Sequence, residues 1–200
     1  MGGRFPGFDA LSQSKRWDAV TAGVVLSRLG PPPAVRFFTP AEQAVATALL
    51  DRLLGAHQDV PVLQMIGTRL ANQETDGWRY EDMPEDGQAW RDSLTYLDAD
   101  AQARFGHGFA ACPADHQAEL VQAVQDLDSK DWHGLQAARV WSLWTRYACT
   151  AFYSHPAAWD EIGFPGPAYP RGYKNLGVDA REPFEVRDAE PSDDPMRKGI

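Results

Sequence analysis

The sequence has few cysteines, no long apolar run and no excess of positive charge. Its two cysteines, Cys112 and Cys149, form neither a Cys-x-x-Cys motif nor a disulfide framework, so both are predicted to be reduced thiols that pack as small residues. No stretch of about 18 apolar residues is present, which excludes a membrane-spanning helix. The formal net charge of −9 and the lack of a basic stripe argue against binding to nucleic acid or to an anionic membrane surface.

The motifs of common active sites are missing as well. There is no Gly-x-Ser-x-Gly elbow, and the five histidines are not spaced as metal-ligand pairs. The segment Gly106-His107-Gly108-Phe109-Ala110-Ala111 matches a relaxed dinucleotide-binding fingerprint, but a polar, helical stretch precedes it where a strand is required. We therefore predict no catalytic, cofactor-binding or metal site in this chain.

The N-terminal segment is similar to an export signal only in part. Ser14-Lys15-Arg16-Trp17 precedes an apolar stretch at residues 19–26, which is the order found in twin-arginine signals. Asp18 and Arg28 bracket that stretch, however, and prolines follow where a cleavage site needs small residues. The segment is therefore predicted to be a retained helix over residues 10–29. The protein is predicted to be cytoplasmic, with a periplasmic location as the alternative.

Apolar residues recur at helical spacing through most of the chain. The clearest helix start is Thr39-Pro40-Ala41-Glu42, where Thr39 caps the helix, Pro40 fits its first turn and Glu42 reaches back to the cap. This helix runs to Leu54. Further helices are predicted over residues 61–71, 90–97, 99–105, 113–127 and 133–153, with a polar loop at 72–88 and no strand-like alternation. The predicted fold class is all-α, with a bundle-like helical domain over residues 1–151.

The character of the sequence changes after the last helix. Residues 152–173 contain six aromatic residues, four prolines and three glycines. The prolines exclude a long helix or an interior strand. We predict an irregular, partner-docking arm over residues 152–187 and a flexible acidic tail over residues 188–200.

Several segments resemble one known family. Tyr153-Ser154-His155-Pro156, Trp159 and Gly163-Phe164-Pro165-Gly166-Pro167 resemble the signature of the gluconate 2-dehydrogenase subunit 3 family. Upstream, Phe38-Thr39-Pro40-Ala41-Glu42 and Asp51-Arg52-Leu53-Leu54 agree with the same pattern, as does Phe109-Ala110-Ala111. The resemblance covers residues 36–185, and its most specific part is the segment from Tyr153 to Pro167.

The resemblance implies a small helical subunit with no catalytic residues of its own. Such a subunit stabilises and docks onto a large FAD-containing subunit of the glucose–methanol–choline oxidoreductase class. The large subunit oxidises a sugar, a sugar acid or a glycoside, with oxidation at C3 as one option, and some complexes add a cytochrome as electron acceptor. Two alternatives stay open. One is a dedicated folding or flavin-loading chaperone of that flavoprotein, and the other is a stand-alone helical metalloenzyme.

The arm is the predicted docking surface. Its prolines stiffen it, so aromatic anchors on it lose little conformational entropy when they bind. The alternative is that the arm folds back over the protein's own core. The predicted interface residues are Tyr153, His155, Trp159, Phe164, Pro165, Pro167, Tyr169, Arg171 and Tyr173, with Arg171 expected to bond to a carboxylate or carbonyl of the partner.

Overall fold

A computed structural model describes residues 5, 7–55, 59–175, 177–178 and 180–186. The chain forms two compact units: the central unit is Pro32–Phe152, and the terminal unit combines Met1–Pro31 with Tyr153–Ile200. Most of the described residues are helical, which confirms the all-α fold class. The α-helices are α1 (Ala19–Ser27), α2 (Pro40–Leu54), α3 (Val62–Ala71), α4 (Asp86–Phe105), α5 (Ala114–Leu127), α6 (Ala137–Ser154) and α7 (Pro156–Ile162).

The central unit begins with the helix start that the sequence predicts most clearly. The Thr39 hydroxyl accepts a hydrogen bond from the Glu42 N–H at 3.3 Å, and the Glu42 carboxylate accepts one from the Thr39 N–H at 2.7 Å. With Pro40 in the first turn, the predicted capping box is confirmed. Helix α2 packs against α3, α4 and α5 through a buried apolar face made of Val45, Ala46, Leu49 and Leu50.

Helix α4 is one continuous helix of 20 residues, so the prediction of two short helices divided near Asp98 was wrong. Leu94, Leu97 and Ala101 are all buried, and the apolar spacing therefore continues across the predicted break. Asp98 does not interrupt the helix because its carboxylate takes part in a tertiary contact. It accepts a hydrogen bond from the Phe109 N–H at 2.7 Å.

A short hairpin precedes α6, where the sequence predicted helix and no strand. Strands β1 (Asp131–Trp132) and β2 (Leu135–Gln136) pair in antiparallel fashion. His133 and Gly134 form the turn with φ angles of 51° and 84°, which are the positive values that a two-residue hairpin turn requires. Helix α6 therefore begins at Ala137 rather than at His133.

Large aromatic residues join α4 and α6 in the core. Trp90 of α4 meets Tyr147 of α6 edge to face, with 5.9 Å between ring centroids. Trp144 meets Trp132 of β1 in the same way at 5.7 Å, and its indole N–H donates a hydrogen bond to the Ser93 hydroxyl at 2.9 Å. Edge-to-face aromatic pairs add to the stability that area burial gives, so these contacts anchor α6 in the central unit.

In the terminal unit, the helix predicted over residues 10–29 is divided in two. A 3-10 helix covers Ala10–Arg16, and α1 begins only after Asp18. Trp17 is the C-cap of the first helix, and Asp18 caps the second, since its carboxylate accepts a hydrogen bond from the Thr21 N–H at 2.7 Å. Val25 is the buried residue of α1, whereas Val20 is 75% exposed.

The arm belongs to the same unit as this N-terminal segment. It is partly helical, since it contains α7. This helix starts at Pro156, and proline is favourable there because the first N–H groups of a helix have no partner within the helix. The N-terminal segment and the arm are joined directly, since the Ala10 N–H donates a hydrogen bond to the Asp160 carboxylate at 2.7 Å. The sequence grouped residues 1–31 with the helical domain, whereas the structure groups them with the arm.

The remaining sequence expectations concern the tail and the membrane. The tail predicted over residues 188–200 lies outside the described residues, as does one of the five histidines, His57. In the part of the chain that the structure describes, no helix is both long enough and apolar enough to cross a membrane.

Candidate partner interface

Trp159 of the arm lies in the core of the terminal unit. It is 3% exposed and meets Trp17 edge to face, with 6.5 Å between ring centroids. Its indole N–H donates a hydrogen bond to the Tyr153 carbonyl at 2.8 Å. Ala10 and Val25 complete this small core. Trp159 therefore stabilises the terminal unit itself, and as a predicted docking anchor it is not accessible in this conformation.

His155 joins the end of α1 to the start of α7. The buried imidazole places Nε2 3.0 Å from the Arg28 carbonyl oxygen, and Nδ1 accepts a hydrogen bond from the Ala157 N–H at 3.2 Å. This pair of contacts assigns a neutral ring with its proton on Nε2. Burial lowers the pKa of the imidazole, and the positive charge of Arg28 adds to that lowering. His155 is thus the N-cap of α7. Its ring is buried, so in this conformation it is not accessible to a docking partner.

The glycines of the Gly-Phe-Pro-Gly-Pro motif permit two close approaches. Gly163 ends α7 with a φ of 68°, and a Cβ there would lie 2.5 Å from Val186 Cγ2. Gly166 has a φ of 76°, and a Cβ there would lie 2.4 Å from Cζ2 of Trp17. Both positions need glycine because the backbone is left-handed and the space is filled. Pro165 is buried and Pro167 is half-buried beside them. The most specific part of the signature is therefore explained by packing within the terminal unit.

Other predicted interface residues present large side chains to solvent. Tyr169 is 64% exposed, and Tyr153, Phe164 and Tyr173 are also exposed. The ring of Phe164 packs edge to face on the buried ring of Trp159, with 5.2 Å between ring centroids. The structure thus brings the predicted residues together in one unit but divides them into a packed set and an exposed set. That the exposed set binds a partner stays a prediction.

Arg171 is half-buried and already has partners within the terminal unit. Its guanidinium donates a hydrogen bond to Gln13 Oε1 at 2.9 Å and lies 3.5 Å from the centre of the Phe184 ring. These contacts fix its position on the arm. They also leave part of its hydrogen-bonding capacity for another group.

A second exposed aromatic surface lies in the central unit. The loop between α3 and α4 covers residues 72–85 and carries Trp78 and Tyr80, which are 50% and 41% exposed. Their rings meet edge to face at 5.4 Å, and we call them the aromatic pair. Met83 of the same loop is buried. Irregular loops of this length inside a compact domain are uncommon and often functional.

Arginines on α3 and α6 hold this loop in place. Arg146 of α6 pairs with Asp76 in the loop and with Asp86 at 3.2 Å, and its guanidinium lies 5.1 Å from the centre of the Trp78 ring. Arg69 of α3 pairs with the same Asp76. The loop is therefore fastened by ion pairs and by stacking of a cation on an aromatic ring.

The buried end of this network is Tyr147 of α6. Its hydroxyl donates a hydrogen bond to Asp86 at 2.7 Å. Burial raises the pKa of Tyr147, and the bond to Asp86 raises it further, so the hydroxyl stays a donor. A second arginine of α6, Arg139, pairs with Asp82 and lies 4.5 Å from the centre of the Tyr80 ring.

The sequence predicted only a polar loop at residues 72–88, and it did not reveal that arginines of α3 and α6 hold this loop. The signal was in α6, where Arg139 and Arg146 are two helical turns apart and so share a face. Two arginines on one face of a largely apolar helix predict that another segment packs there and pairs with them through carboxylates and aromatic rings. The loop with Trp78 and Tyr80 supplies both.

His133, one of the five histidines, has a structural role together with Asp100. Asp100 accepts a hydrogen bond from the Trp132 indole at 2.8 Å, and His133 Nε2 lies 2.8 Å from the same carboxylate. His133 also stacks on Tyr96 at 4.8 Å. Among the described residues, no group of three or more His, Cys, Asp or Glu side chains is arranged to hold a metal ion.

The fingerprint-like glycine segment is a turn between two helical elements. Gly106 ends α4 in the left-handed conformation, with a φ of 75°. A Cβ on Gly108 would lie 2.7 Å from an Asp98 carboxylate oxygen, and the Phe109 N–H donates to that same carboxylate. A carboxylate thus occupies the position at which such a motif would bind phosphate, and no strand precedes it.

Both cysteines are free thiols, as predicted. Cys112 is buried, and burial raises the pKa of its thiol, with the charge of Asp98 adding to the effect. The prediction that Cys149 is a packing residue was wrong, because its side chain is exposed. The buried face of α6 contains Tyr147, Ala148 and Ala151, and position 149 lies on the other face.

Residues 40–166 of this chain match the gluconate 2-dehydrogenase subunit 3 family. The matched region begins at the first residue of α2, contains the whole loop with the aromatic pair, and ends at Gly166. Tyr169, Arg171 and Tyr173 follow it. No curated protein and no solved structure is similar enough to this chain to match it. The family match covers more than half of the sequence, and on that ground the chain belongs to the gluconate 2-dehydrogenase subunit 3 family.

Proposed function

We propose that this chain is a non-catalytic accessory subunit that docks onto and stabilises a large FAD-dependent subunit. The large subunit would be of the glucose–methanol–choline class and would oxidise a sugar, a sugar acid or a glycoside. The observation that carries the proposal is the family match over residues 40–166, since membership of a subunit family implies a multi-subunit complex. FAD belongs to the partner in this proposal, and the complex is placed in the cytoplasm.

Exposed aromatic side chains support a docking role. Tryptophan and tyrosine are enriched among the residues that contribute most to binding at protein interfaces. Here Trp78 and Tyr80 are exposed in the central unit, and Tyr153, Phe164 and Tyr169 are exposed in the terminal unit. Trp78 and Tyr80 are clustered as well as exposed, since their rings are in contact, and exposed apolar clusters mark interaction sites more often than single exposed side chains do.

Of these side chains, the aromatic pair is the better prepared for binding. Both rings are held by arginines of α6, so little freedom is left to lose when a partner covers them. The pair also lies inside the region that matches the family, whereas Tyr169 and Tyr173 lie outside it. We therefore extend the proposed interface from the arm to Trp78 and Tyr80.

The test is purification of this chain, tagged, with the large flavoprotein co-expressed. A stoichiometric complex that contains FAD and is reduced by a sugar or glycoside is expected. If the chain raises the yield of active flavoprotein but is absent from the purified complex, it is a folding or flavin-loading chaperone instead. If no flavoprotein is bound or stabilised, the proposal is wrong.

Single variants then locate the interface within that complex. Trp78→Ala and Tyr169→Ala are each expected to weaken binding by about 2 kcal/mol if the ring lies at the centre of the interface. A chain ending at Asp188 is the control and should bind like the full chain, because exposed charges contribute little. Trp159→Ala is unsuitable, since it removes the core of the terminal unit. If both alanine variants fold and bind fully, the interface lies elsewhere.

A further inference from the structure

The terminal unit contains a pocket with an excess of positive charge. The pocket has a volume of about 270 Å³, and its lining includes Arg16, Arg171, Lys174 and Glu182. Three of these four side chains are cations, although the whole chain has a formal net charge of −9. We call this site the basic pocket.

The one carboxylate in the lining is engaged by the backbone. Glu182 is buried and accepts hydrogen bonds from the N–H groups of Lys174 and Asn175, the second at 2.6 Å. The side-chain amide of Asn175 donates to it as well. Within the described ranges, no ion pair joins Glu182 to a cation of the basic pocket. Its role is to fix the backbone on one side of the pocket.

Two of the cations are left without a partner. The side chains of Arg16 and Lys174 are exposed, and neither makes a hydrogen bond or an ion pair with any residue that the structure describes. Arg171 is fixed by Gln13 and Phe184, but its Nε is buried with no acceptor among the described residues. The pocket therefore offers the charges and side-chain donors of Arg16 and Lys174, which no residue that the structure describes uses.

The cations are also close enough to affect one another. Burial lowers the pKa of Arg171, and the charge of Arg16 lowers it further, against smaller opposing effects of Tyr173 and Glu182. Like charges that face one pocket destabilise it unless an anion lies between them. Guanidinium groups bind the oxygens of phosphate and carboxylate through short charge-assisted hydrogen bonds.

We propose that the basic pocket binds a free small-molecule oxyanion, bearing a phosphate or a carboxylate group, through Arg16, Arg171 and Lys174. The anion removes the repulsion among the cations and gives their unused donors an acceptor. The concave shape, with Phe184 and the buried Glu182 as walls, fits a small molecule better than the flat surface of a protein. The proposal does not rest on the proposed docking function, although Arg171 is also a predicted interface residue, and it requires the pocket to stay open in the complex.

Equilibrium dialysis with radiolabelled inorganic phosphate tests this site. It is carried out on the complex with the large subunit and on this chain alone, in a chloride buffer of constant ionic strength. Phosphate binding is expected in both samples, stoichiometric with this chain. Arg16→Gln and Lys174→Gln should each weaken it about tenfold, because each removes a charge-assisted bond. Neither side chain has a partner to lose among the residues that the structure describes, so the variants are expected to fold.

Lys15→Gln is the matched control, since Lys15 is an exposed cation next to Arg16 that does not line the pocket. It should leave phosphate binding unchanged. An equal loss of binding in this variant would mean that phosphate is attracted by positive charge in general rather than bound in the pocket, and it would overturn the proposal. Labelled citrate, used in the same way, distinguishes a carboxylate from a phosphate ligand. Failure of both anions to bind overturns the proposal.

Two further outcomes would name another occupant and so also overturn it. Binding by the chain alone but not by the complex would mean that an acidic group of the partner fills the pocket. Binding that appears only after Asp188, Glu190, Asp193 and Asp194 are changed to their amides would mean that the chain's own tail fills it. Because the chain alone is one of the samples, the result does not depend on whether a flavoprotein partner is found.

Discussion

The central and terminal units are stabilised by different means. In the central unit, helices α2–α6 supply a continuous core in which large rings such as Trp90 and Trp144 are fully buried. The terminal unit has a small core around Trp17 and Trp159. Gly163 and Gly166 let the backbone of the arm approach neighbouring side chains closely, and His155 joins the end of α1 to the start of α7. The comparison teaches that the family signature is specific because this small core tolerates few residues. Its exposed aromatic neighbours are under no such constraint from packing.

The largest effect is expected where the terminal unit is packed most tightly. Gly166→Ala should destabilise this unit by about 3 kcal/mol, because the new Cβ meets the Trp17 ring and the backbone is left-handed. Urea unfolding, with limited proteolysis to locate cleavage in residues 153–186, measures the loss.

Gly172→Ala is the matched control for that variant. Gly172 has a similar φ of 67°, but a Cβ there would meet nothing within 4 Å. Its alanine variant should lose only about 1 kcal/mol, from backbone strain alone. Equal losses at the two positions would mean that Trp17 does not pack on Gly166 as described.

A smaller effect is expected in the network of the central unit. Arg146→Gln should cost about 2 kcal/mol, because Asp86 is buried and keeps only its neutral partner Tyr147. Hydrogen exchange should also speed up across residues 72–85, since the loop loses one of its two ion pairs at Asp76 and the cation beside the Trp78 ring, and keeps the pair with Arg69. Arg139→Gln is the control, with a loss of about 0.5 kcal/mol or less, because Asp82 is mostly exposed. A loop that stays protected in Arg146→Gln would show that other contacts hold it.

The pH dependence of the terminal unit depends on His155. Because burial lowers the pKa of this imidazole in the folded chain, the unfolded chain takes up a proton first as the pH falls below about 6.5. Stability should therefore be independent of this group above pH 7 and fall between pH 7 and 5. The loss is at most about 1.4 kcal/mol for each pH unit.

His155→Asn tests this dependence, because asparagine can still cap α7 but does not titrate. The variant should flatten the fall in unfolding temperature between pH 7 and 5. His107→Asn, which changes an exposed histidine, should keep the wild-type profile. An unchanged slope in His155→Asn would assign the pH dependence to another group.

The smallest effect is expected on the outer face of α6. Cys149 should react rapidly with a thiol reagent in the folded protein, whereas Cys112 should react only after unfolding. Cys149→Ser should remove the fast reaction and change stability by less than about 0.5 kcal/mol. Fast labelling of Cys112 would contradict its burial.

The parts of the fold that the sequence predicts are those determined locally. The start of α2 is correct because Thr39, Pro40 and Glu42 act within one turn. The break predicted in α4 is wrong because Asp98 bonds to Phe109, and local pattern does not reveal such a tertiary bond. The hairpin before α6 was signalled only by a single glycine, Gly134.

The same distinction applies to the candidate interface. The spacing of aromatic residues in the arm shows that rings are present but not which way they face. Trp159 faces inward because Trp17, which is far away in the sequence, completes its pocket. Trp78 and Tyr80 face solvent because Arg146 and Arg139 support them from a distant helix. Only contacts between distant parts of the chain determine these orientations.

The hydrogen bond between Ala10 and Asp160 joins two residues that are synthesised at very different times. At about 5–20 residues per second, the ribosome needs roughly 7–30 s to reach Asp160 after Ala10 has been made. Residues 32–152 of the central unit are all synthesised within that interval. The N-terminal segment, with Trp17 and the apolar α1, is therefore made before the central unit, whereas its partners in the arm are made only after that unit. During this delay Trp17 and Val25 lack the arm residues that cover them in the folded chain.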